Sequence, residues 1–237
     1  MKDLNNKIAV ITGAGRGIGY DLAQGMSDHG ILVYGLDLSF PENNYNFKTI
    51  QWDITNPDGL ESILPIDRLD ILINNAGVTY TQKFEDYDRD SWYKTLEVNL
   101  CSPFFLSQKL LPLLKKSESA SIINITSLNA ELAFPDNPAY VSSKAALAGL
   151  TRSMALDLGQ LGIRVNSIAP GYIKTKMTGE SYKNPVKRQE RSNRTVLGRW
   201  GTPNDLLGPL LFLASSMSSY VTGHSLFVDG GWKIRGL

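Results

Sequence analysis

The stretch Thr12-Gly13-Ala14-Gly15-Arg16-Gly17-Ile18-Gly19 decides the fold. A short β-branched apolar run, residues 8–11, precedes it, and an amphipathic stretch, residues 18–29, follows it. Glycines between a strand and a helix let the backbone turn sharply and approach a ligand, while the first helical turn presents free N–H groups. The pattern therefore predicts a phosphate-binding turn. Its spacing is Thr-Gly-x-x-x-Gly-x-Gly, and a glycine-rich turn without a ligand is the alternative.

Apolar runs and amphipathic stretches alternate along the rest of the chain. The runs that suit strands buried on both faces are 8–11, 31–36, 49–52, 69–73, 121–125, 164–168 and 225–228. The helical stretches are 18–29, 91–114, 139–158 and 204–214. This alternation predicts one α/β domain over residues 1–237, a Rossmann-type doubly wound parallel sheet with helices on both faces.

One connection departs from that pattern. Only 11 residues, 38–48, separate Asp37 from the third predicted strand, and they include Pro41 and several asparagines. A parallel crossover normally needs a dozen or more residues and a helix. We expect a loop or a single turn here.

Composition excludes several classes of protein. The chain has 237 residues, 42% apolar and 20% charged, which is ordinary for a globular domain. Its one cysteine and two histidines allow no intrachain disulfide and argue against a metal site. The net charge of +1 gives no general attraction to nucleic acid or membrane, and no apolar run is long enough for a membrane span. We expect a cytoplasmic protein.

Asp37 comes 18 residues after Gly19, at the end of the second predicted strand. A carboxylate there can accept hydrogen bonds from the adenosine ribose hydroxyls and repels a 2′-phosphate. The sequence therefore favours NAD, although Arg16 in the glycine turn could pair with the phosphate of NADP. A solvated loop carboxylate is the alternative for Asp37.

Two further motifs follow predicted strands. Asn74-Asn75-Ala76-Gly77 offers small side chains against which adenine and its ribose could pack, although such a tetrapeptide is often only a turn. Ser127 ends the next strand, and Tyr140 and Lys144 lie four residues apart, on one face of a helix. A nearby ammonium lowers a phenol pKa, which would make Tyr140 an acid/base. In isolation this pair is typical of a helix surface.

Taken together and in this order, these motifs, with Asn99 and Pro170-Gly171, resemble the short-chain dehydrogenase/reductase family from about residue 6 to residue 232. The resemblance implies an NAD(P)-dependent oxidoreductase that moves a hydride between nicotinamide and a secondary alcohol or ketone. Tyr140 would exchange a proton with the substrate oxygen and Ser127 would hydrogen-bond it. Lys144 would lower the pKa of Tyr140 and hold the nicotinamide ribose, and Asn99 would hold a relay water.

The resemblance also implies further contacts. Cofactor contacts would come from the glycine turn, from the second motif and from two later segments: Gly13, Gly15, Arg16, Gly17, Ile18, Gly19, Asp37, Asp53, Ile54, Asn75, Ala76, Gly77, Tyr140, Lys144, Pro170, Gly171, Ile173 and Thr175. Substrate contacts would come from Ser127, Asn129, Tyr140 and Tyr172. The family commonly forms tetramers, so a homo-oligomer, tetramer or dimer, is expected.

The segment 174–199, hereafter the basic segment, is expected to form the substrate lid. It carries eight basic and two acidic residues, a net charge of +6. Such a lid could attract an anionic substrate, or it could be a solvated helix face. Polar residues near the site favour a sugar-like substrate, and the resemblance is to gluconate 5-dehydrogenases and 3-oxoacyl-carrier-protein reductases.

Three other functions remain as alternatives: reduction of 3-oxoacyl-carrier-protein, a non-catalytic nucleotide sensor, and a nucleic-acid-binding protein. A sensor has no need of all four of Asn99, Ser127, Tyr140 and Lys144. The near-neutral charge and single basic patch argue against nucleic acid.

Overall fold

A parallel sheet runs through the computed structural model, which describes residues 2–42 and 44–235. Within these residues its strands follow the order β3-β2-β1-β4-β5-β6-β7. They are β1 Ile8–Thr12, β2 Leu32–Asp37, β3 Lys48–Gln51, β4 Ile71–Asn74, β5 Ser121–Ile125, β6 Arg164–Pro170 and β7 Ser225–Val228. The order reverses between β1 and β4, and this switch opens a crevice at the carboxyl ends of those two strands.

Helices cover both faces of the sheet. They are α1 Gly17–Asp28, α2 Leu60–Ile63, α3 Arg89–Leu96, α4 Ser102–Leu114, α5 Pro138–Gly159, α6 Gly179–Lys183, α7 Pro185–Arg194, α8 Asn204–Ala214 and α9 Trp232–Arg235. A π-helical segment, Glu97–Cys101, joins α3 to α4. The helix predicted over 91–114 is therefore one helical run that widens in its middle.

Two apolar layers sandwich the sheet, and β1 shows how they arise. Ala9 and Ile11 face the layer that contains Leu22 of α1 and Leu210 of α8. Val10, between them, faces the opposite layer, which contains residues of α4 and α5. Successive strand side chains point to opposite faces, so a strand buried on both sides is apolar throughout. The predicted doubly wound α/β fold is confirmed.

The connection from β2 to β3 has no helix among its described residues, as predicted. Instead the Tyr45 ring packs edge-on at 5.4 Å from Phe40 and 5.4 Å from Phe47. The Tyr20 ring of α1 lies 5.5 Å from Tyr45, and Phe47 is so close to Gly35 that a Cβ there would lie 2.6 Å from the ring. This aromatic cluster (Tyr20, Phe40, Tyr45, Phe47) covers the sheet face that a crossover helix would otherwise cover.

The described ranges contain neither a membrane-spanning helix nor a cluster of metal-ligating side chains. Across 2–42 and 44–235, no helix is long and apolar enough to cross a membrane. In the same ranges, no group of three or more His, Cys, Asp or Glu side chains could hold a metal ion.

Candidate active site

A cleft of about 750 Å³ lies at the carboxyl edge of the sheet. Its walls bring together the glycine turn, Asp37, residues 52–55, residues 75–80 and the segment 170–178. Ser127, Tyr140 and Lys144 line the same cleft. Its volume suits an extended small molecule.

The glycine turn has little room for any other residue. Gly13 and Gly17 have φ of +68° and +60°. A Cβ at Gly15 would lie 2.1 Å from the Ser39 carbonyl oxygen, and one at Gly19 would lie 2.1 Å from the Gly13 carbonyl oxygen. Gly17 is different, because a Cβ there would meet nothing within 4 Å. The turn thus fits the pyrophosphate of a dinucleotide, which needs close backbone approach at the amino end of α1.

Asn75 holds this turn in place. Its side-chain amide donates to the Thr12 and Gly13 carbonyls at 2.9 and 3.2 Å, while the Thr12 hydroxyl accepts from the Asn75 and Ala76 N–H groups at 3.0 Å each. Asn75 and Ala76, which are predicted cofactor contacts, line the cleft. The amide of the Asn75 side chain donates its hydrogen bonds to the glycine turn and thereby stabilises it.

Asp37 and Arg16 lie on the wall where the adenosine ribose is expected. The Asp37 carboxylate accepts from the Gly15 N–H at 2.9 Å and from the Ser39 N–H at 3.3 Å. Arg16 is exposed and lines the same cleft. Asp53 accepts from the Thr55 N–H and hydroxyl, and these hydrogen bonds lower the pKa of Asp53. Ile54 completes this wall, together with Trp52, which the sequence did not single out.

Three predicted catalytic side chains meet at the other end of the cleft. Ser127 lies two residues after the end of β5 and caps the short turn Leu128–Ala130, with its hydroxyl 3.0 Å from the Asn129 side-chain oxygen. Tyr140 and Lys144 project from α5, and the Lys144 ammonium lies 5.6 Å from the Tyr140 ring centre. Lys144 donates to the Ile125 carbonyl at 2.8 Å and is only 3% exposed.

Burial has the largest effect on the pKa values of Tyr140 and Lys144. It raises the pKa of Tyr140, although a hydrogen bond with Ser127 opposes the shift. The prediction that the pKa of Tyr140 is lowered is therefore wrong for the protein without its cofactor. Burial also lowers the pKa of Lys144 to about 8, because a desolvated ammonium is costly.

Asn99 lies within the π-helical segment and is fully buried. Its side-chain oxygen accepts from the Val78 N–H at 2.8 Å, and its amide donates to the Val78 carbonyl at 2.9 Å and the Ser143 hydroxyl at 3.1 Å. The side chain thus ties the loop after β4 to α5. The predicted water relay through Asn99 stays a prediction.

The segment after β6 forms the wall beside Tyr140. Position 171 requires glycine, because a Cβ there would lie 2.8 Å from the Cα of Asp229. The Ile173 carbonyl accepts from the Thr178 hydroxyl at 2.6 Å, and Thr178 also accepts from the Thr175 N–H. Pro170, Ile173 and Thr175 line the cleft as predicted. Thr178, which the sequence analysis missed, fixes their conformation.

Tyr172 belongs to an aromatic group that the sequence analysis did not foresee. Its ring stacks on Trp232 at 5.0 Å and packs edge-on against Trp200 at 5.2 Å and Phe134 at 5.9 Å. These residues come from four separate parts of the chain, so no local spacing signals them. Neither Tyr172 nor Asn129, the further predicted substrate contacts, is among the described residues that line the cleft.

Comparison with known proteins agrees with this geometry. The family model described as enoyl-(acyl carrier protein) reductase matches residues 13–233. The chain is 37% identical to 2-dehydro-3-deoxy-D-gluconate 5-dehydrogenase of Bacillus subtilis, over 98% of this chain and 96% of that protein. The chain belongs to the short-chain dehydrogenase/reductase family.

Two solved structures of this family resemble it closely. Aldohexose dehydrogenase of Thermoplasma acidophilum superimposes with a TM-score of 0.92 at 33% identity, covering 99% of this chain and 97% of that one. Gluconate 5-dehydrogenase of Burkholderia cenocepacia, in complex with NADP and tartrate, gives a TM-score of 0.89 at 31% identity, covering 98% of this chain and 97% of that one.

The short-chain dehydrogenase/reductase described here is an NAD(P)-dependent oxidoreductase that acts on an alcohol or ketone. When bound, its nicotinamide cofactor supplies or accepts the hydride. The residues of the chain hold the cofactor and handle the proton.

Proposed function

We propose that this oxidoreductase interconverts a secondary alcohol and a ketone on a sugar acid. The observation that carries the proposal is the meeting of Ser127, Tyr140 and Lys144 at one end of a cleft whose other end is a glycine turn. The names of the Bacillus and Burkholderia relatives, and the tartrate in the latter's complex, support a hydroxylated carboxylic acid as substrate.

Tyr140 is the proton-transfer group in this proposal. In the reduction, its hydroxyl gives a proton to the carbonyl oxygen while that oxygen also accepts a hydrogen bond from Ser127. In the oxidation the proton returns from the substrate hydroxyl to Tyr140. Lys144, with a pKa of about 8, is suited to pass the proton onward near neutral pH. Asn99 fixes the position of Val78 relative to α5 through its hydrogen bonds to Val78 and Ser143.

We propose NAD as the coenzyme, because the carboxylate of Asp37, beside the glycine turn at the end of β2, would repel a 2′-phosphate. The Burkholderia structure holds NADP, so this assignment concerns the present chain and not the family. Residues 174–199 form the substrate lid of the domain, and Asn129 and Tyr172 contact the substrate.

Self-association is also part of the proposal. Phe104 and Phe105 of α4 are 39% and 51% exposed, and Leu156 of α5 is 80% exposed. Large apolar side chains exposed on two helices favour a contact between copies, as a dimer or tetramer in the cytoplasm. Light scattering of the purified protein measures this state directly.

The test of the substrate class is a set of reactions followed at 340 nm. We expect NADH formation from NAD and D-gluconate or a related sugar acid, and NADH consumption with a keto-sugar acid. An acetoacetyl thioester is assayed in parallel. Preference for the thioester, with no turnover of any sugar acid, would contradict the proposal and favour 3-oxoacyl reduction.

A further inference from the structure

Most positive charges of the basic segment already have a partner within the chain. Lys176 pairs with Glu42 at 2.6 Å and Arg199 pairs with Asp205 at 2.8 Å. Lys174 and Arg188 lie over the Tyr182 ring, and this ring faces Trp200. Arg191 and Arg194 lie over Tyr172 and Trp232, two rings that stack on each other.

Arg191 of α7 lies against Tyr172, in the segment that follows β6. Its guanidinium carbon is 4.5 Å from the centre of the Tyr172 ring. Tyr172 lies between Gly171 and Ile173, which both line the cleft, and it contributes to the raised pKa of Tyr140. Stacking on Tyr172 thus holds Arg191 one side chain away from the proton-transfer group.

The hydrogen-bonding capacity of Arg191 is not used within the described residues. Its Nε atom is buried and has no hydrogen-bond partner there. The salt bridges of the described residues do not include Arg191. A buried guanidinium N–H without an acceptor is costly, and a carboxylate that accepts from Nε and a terminal nitrogen would remove that cost.

We propose that Arg191 binds the carboxylate of the substrate and thereby selects sugar acids over uncharged sugars and polyols. This inference rests on the proposed function, since it assigns the acid group of the same substrate. Arg191 sets the affinity, whereas Tyr140, Ser127 and Lys144 carry out the proton transfer. The planar, two-donor fork of arginine suits a carboxylate better than a lysine ammonium does.

The test compares Arg191→Met and Arg191→Lys with the wild type, using D-gluconate and its uncharged analogue D-sorbitol with NAD. Arg89→Met is the matched control, because Arg89 also stacks on a tyrosine, Tyr93, at 5.1 Å, but both residues belong to α3 and not to the basic segment or the segment after β6. We expect Arg191→Met to raise the KM for gluconate by about 10- to 100-fold with kcat within about threefold, given the usual strength of a charged hydrogen bond. The KM of Arg191→Lys for gluconate should lie between those of the wild type and Arg191→Met. The kinetics of the variants with sorbitol, and those of Arg89→Met with gluconate, should match the wild type.

An unchanged gluconate KM, or an equal loss with gluconate and sorbitol, would overturn the assignment of Arg191. A second measurement separates this failure from failure of the proposed reaction: gluconate is titrated into the NAD-loaded protein, and tryptophan fluorescence reports through Trp200 and Trp232 beside Tyr172. If wild type turns over no sugar acid but binds gluconate, and Arg191→Met abolishes binding, the reaction is wrong and the anion site stands. If the wild type binds no gluconate, the anion site is wrong.

Discussion

Lys144 combines two properties that rarely occur together in a lysine. It is 3% exposed, and its ammonium donates to a backbone carbonyl rather than to a carboxylate. A charge in such a place is costly, so burial lowers the pKa to about 8. The low pKa allows proton release near neutral pH, and the same burial makes Lys144 a source of pH-dependent stability.

The sign of that dependence follows from the two states. Below pH 8 the folded protein carries a buried ammonium, whereas in the unfolded chain the group titrates near 10.4. Between these values only the unfolded state holds the proton, so the unfolding free energy rises with pH. We predict that this rise between pH 8 and 10 is lost in Lys144→Met, measured by urea unfolding. If the unfolding free energies of the wild type and Lys144→Met depended on pH in the same way, the assigned pKa of Lys144 would be contradicted.

Asp37 tests coenzyme choice at the same scale. Because its carboxylate also accepts from the Gly15 N–H, Asp37→Asn is the suitable variant, as it keeps an acceptor oxygen and removes the charge. We predict that the wild type has the higher kcat/KM with NAD. The ratio of kcat/KM for NADP to that for NAD should rise about tenfold or more in Asp37→Asn, because repulsion of the 2′-phosphate is gone. A wild type that prefers NADP would refute the assignment.

At the scale of elements, the connection between β2 and β3 shows packing by side chains in place of a helix. The cluster of Tyr20, Phe40, Tyr45 and Phe47 fills that face, and the Tyr45 hydroxyl donates to the Gly15 carbonyl at 3.1 Å. The short connection between β2 and β3 therefore contacts the glycine turn as well as the sheet.

Phe47→Ala measures how much this cluster stabilises the fold. Phe47 is 9% exposed and packs on Gly35 and Tyr45, so truncation should leave a cavity. We predict a loss of about 3 kcal/mol in unfolding free energy by chemical denaturation. The control Phe84→Ala, at a side chain that is 85% exposed, should change it by less than about 0.5 kcal/mol. Equal small effects in both variants would show that the cluster is not a structural substitute for the helix.

The elements also show which features sequence can reveal. Strands and helices were predictable because two-sided burial leaves apolar runs, and because Tyr140 and Lys144 share a helix face through their spacing. The π-helical turn at Asn99 could not be predicted, since it depends on bonds to Val78 and Ser143 from other elements. The Tyr172–Trp232 stack, the pairing of Lys176 with Glu42 and the raised pKa of Tyr140 likewise depend on burial and long-range contacts.

At the scale of the whole molecule, Asp70 joins distant parts of the chain at the amino edge of the sheet. It precedes β4 and accepts from the Ile8 N–H at 2.8 Å and the Ser117 hydroxyl at 2.6 Å, with Lys7 and Arg68 nearby. Burial by itself would raise the pKa of Asp70, but these hydrogen bonds and charges outweigh it and lower the pKa. The ionised carboxylate therefore stabilises the fold.

For an acid with a lowered folded-state pKa, this stability is present above the unfolded pKa of about 3.9 and is lost as pH falls through the folded value. We predict that Asp70→Asn lowers the unfolding free energy at pH 7 by about 2 kcal/mol. The difference between wild type and variant should shrink below about pH 4. A difference that is constant from pH 7 to pH 3, in thermal or chemical unfolding, would contradict this account of Asp70.

The charge of the whole chain is distributed unevenly. The net charge of +1 contains a segment of +6, within which salt bridges and aromatic rings hold most basic groups. The molecule is thus a nearly minimal dehydrogenase domain, in which one cleft contains both the glycine turn and the residues Ser127, Tyr140 and Lys144.

The measurement that tests this account most directly is NADH formation at 340 nm by the wild type and Tyr140→Phe, with the sugar acid that the wild type oxidises fastest. Phenylalanine keeps the ring and removes only the hydroxyl, and NADH binding by tryptophan energy transfer serves as the control for folding. The account predicts that kcat falls at least about 100-fold, as expected for loss of an acid/base group, while NADH affinity is unchanged. A Tyr140→Phe enzyme with a nearly normal kcat would contradict it.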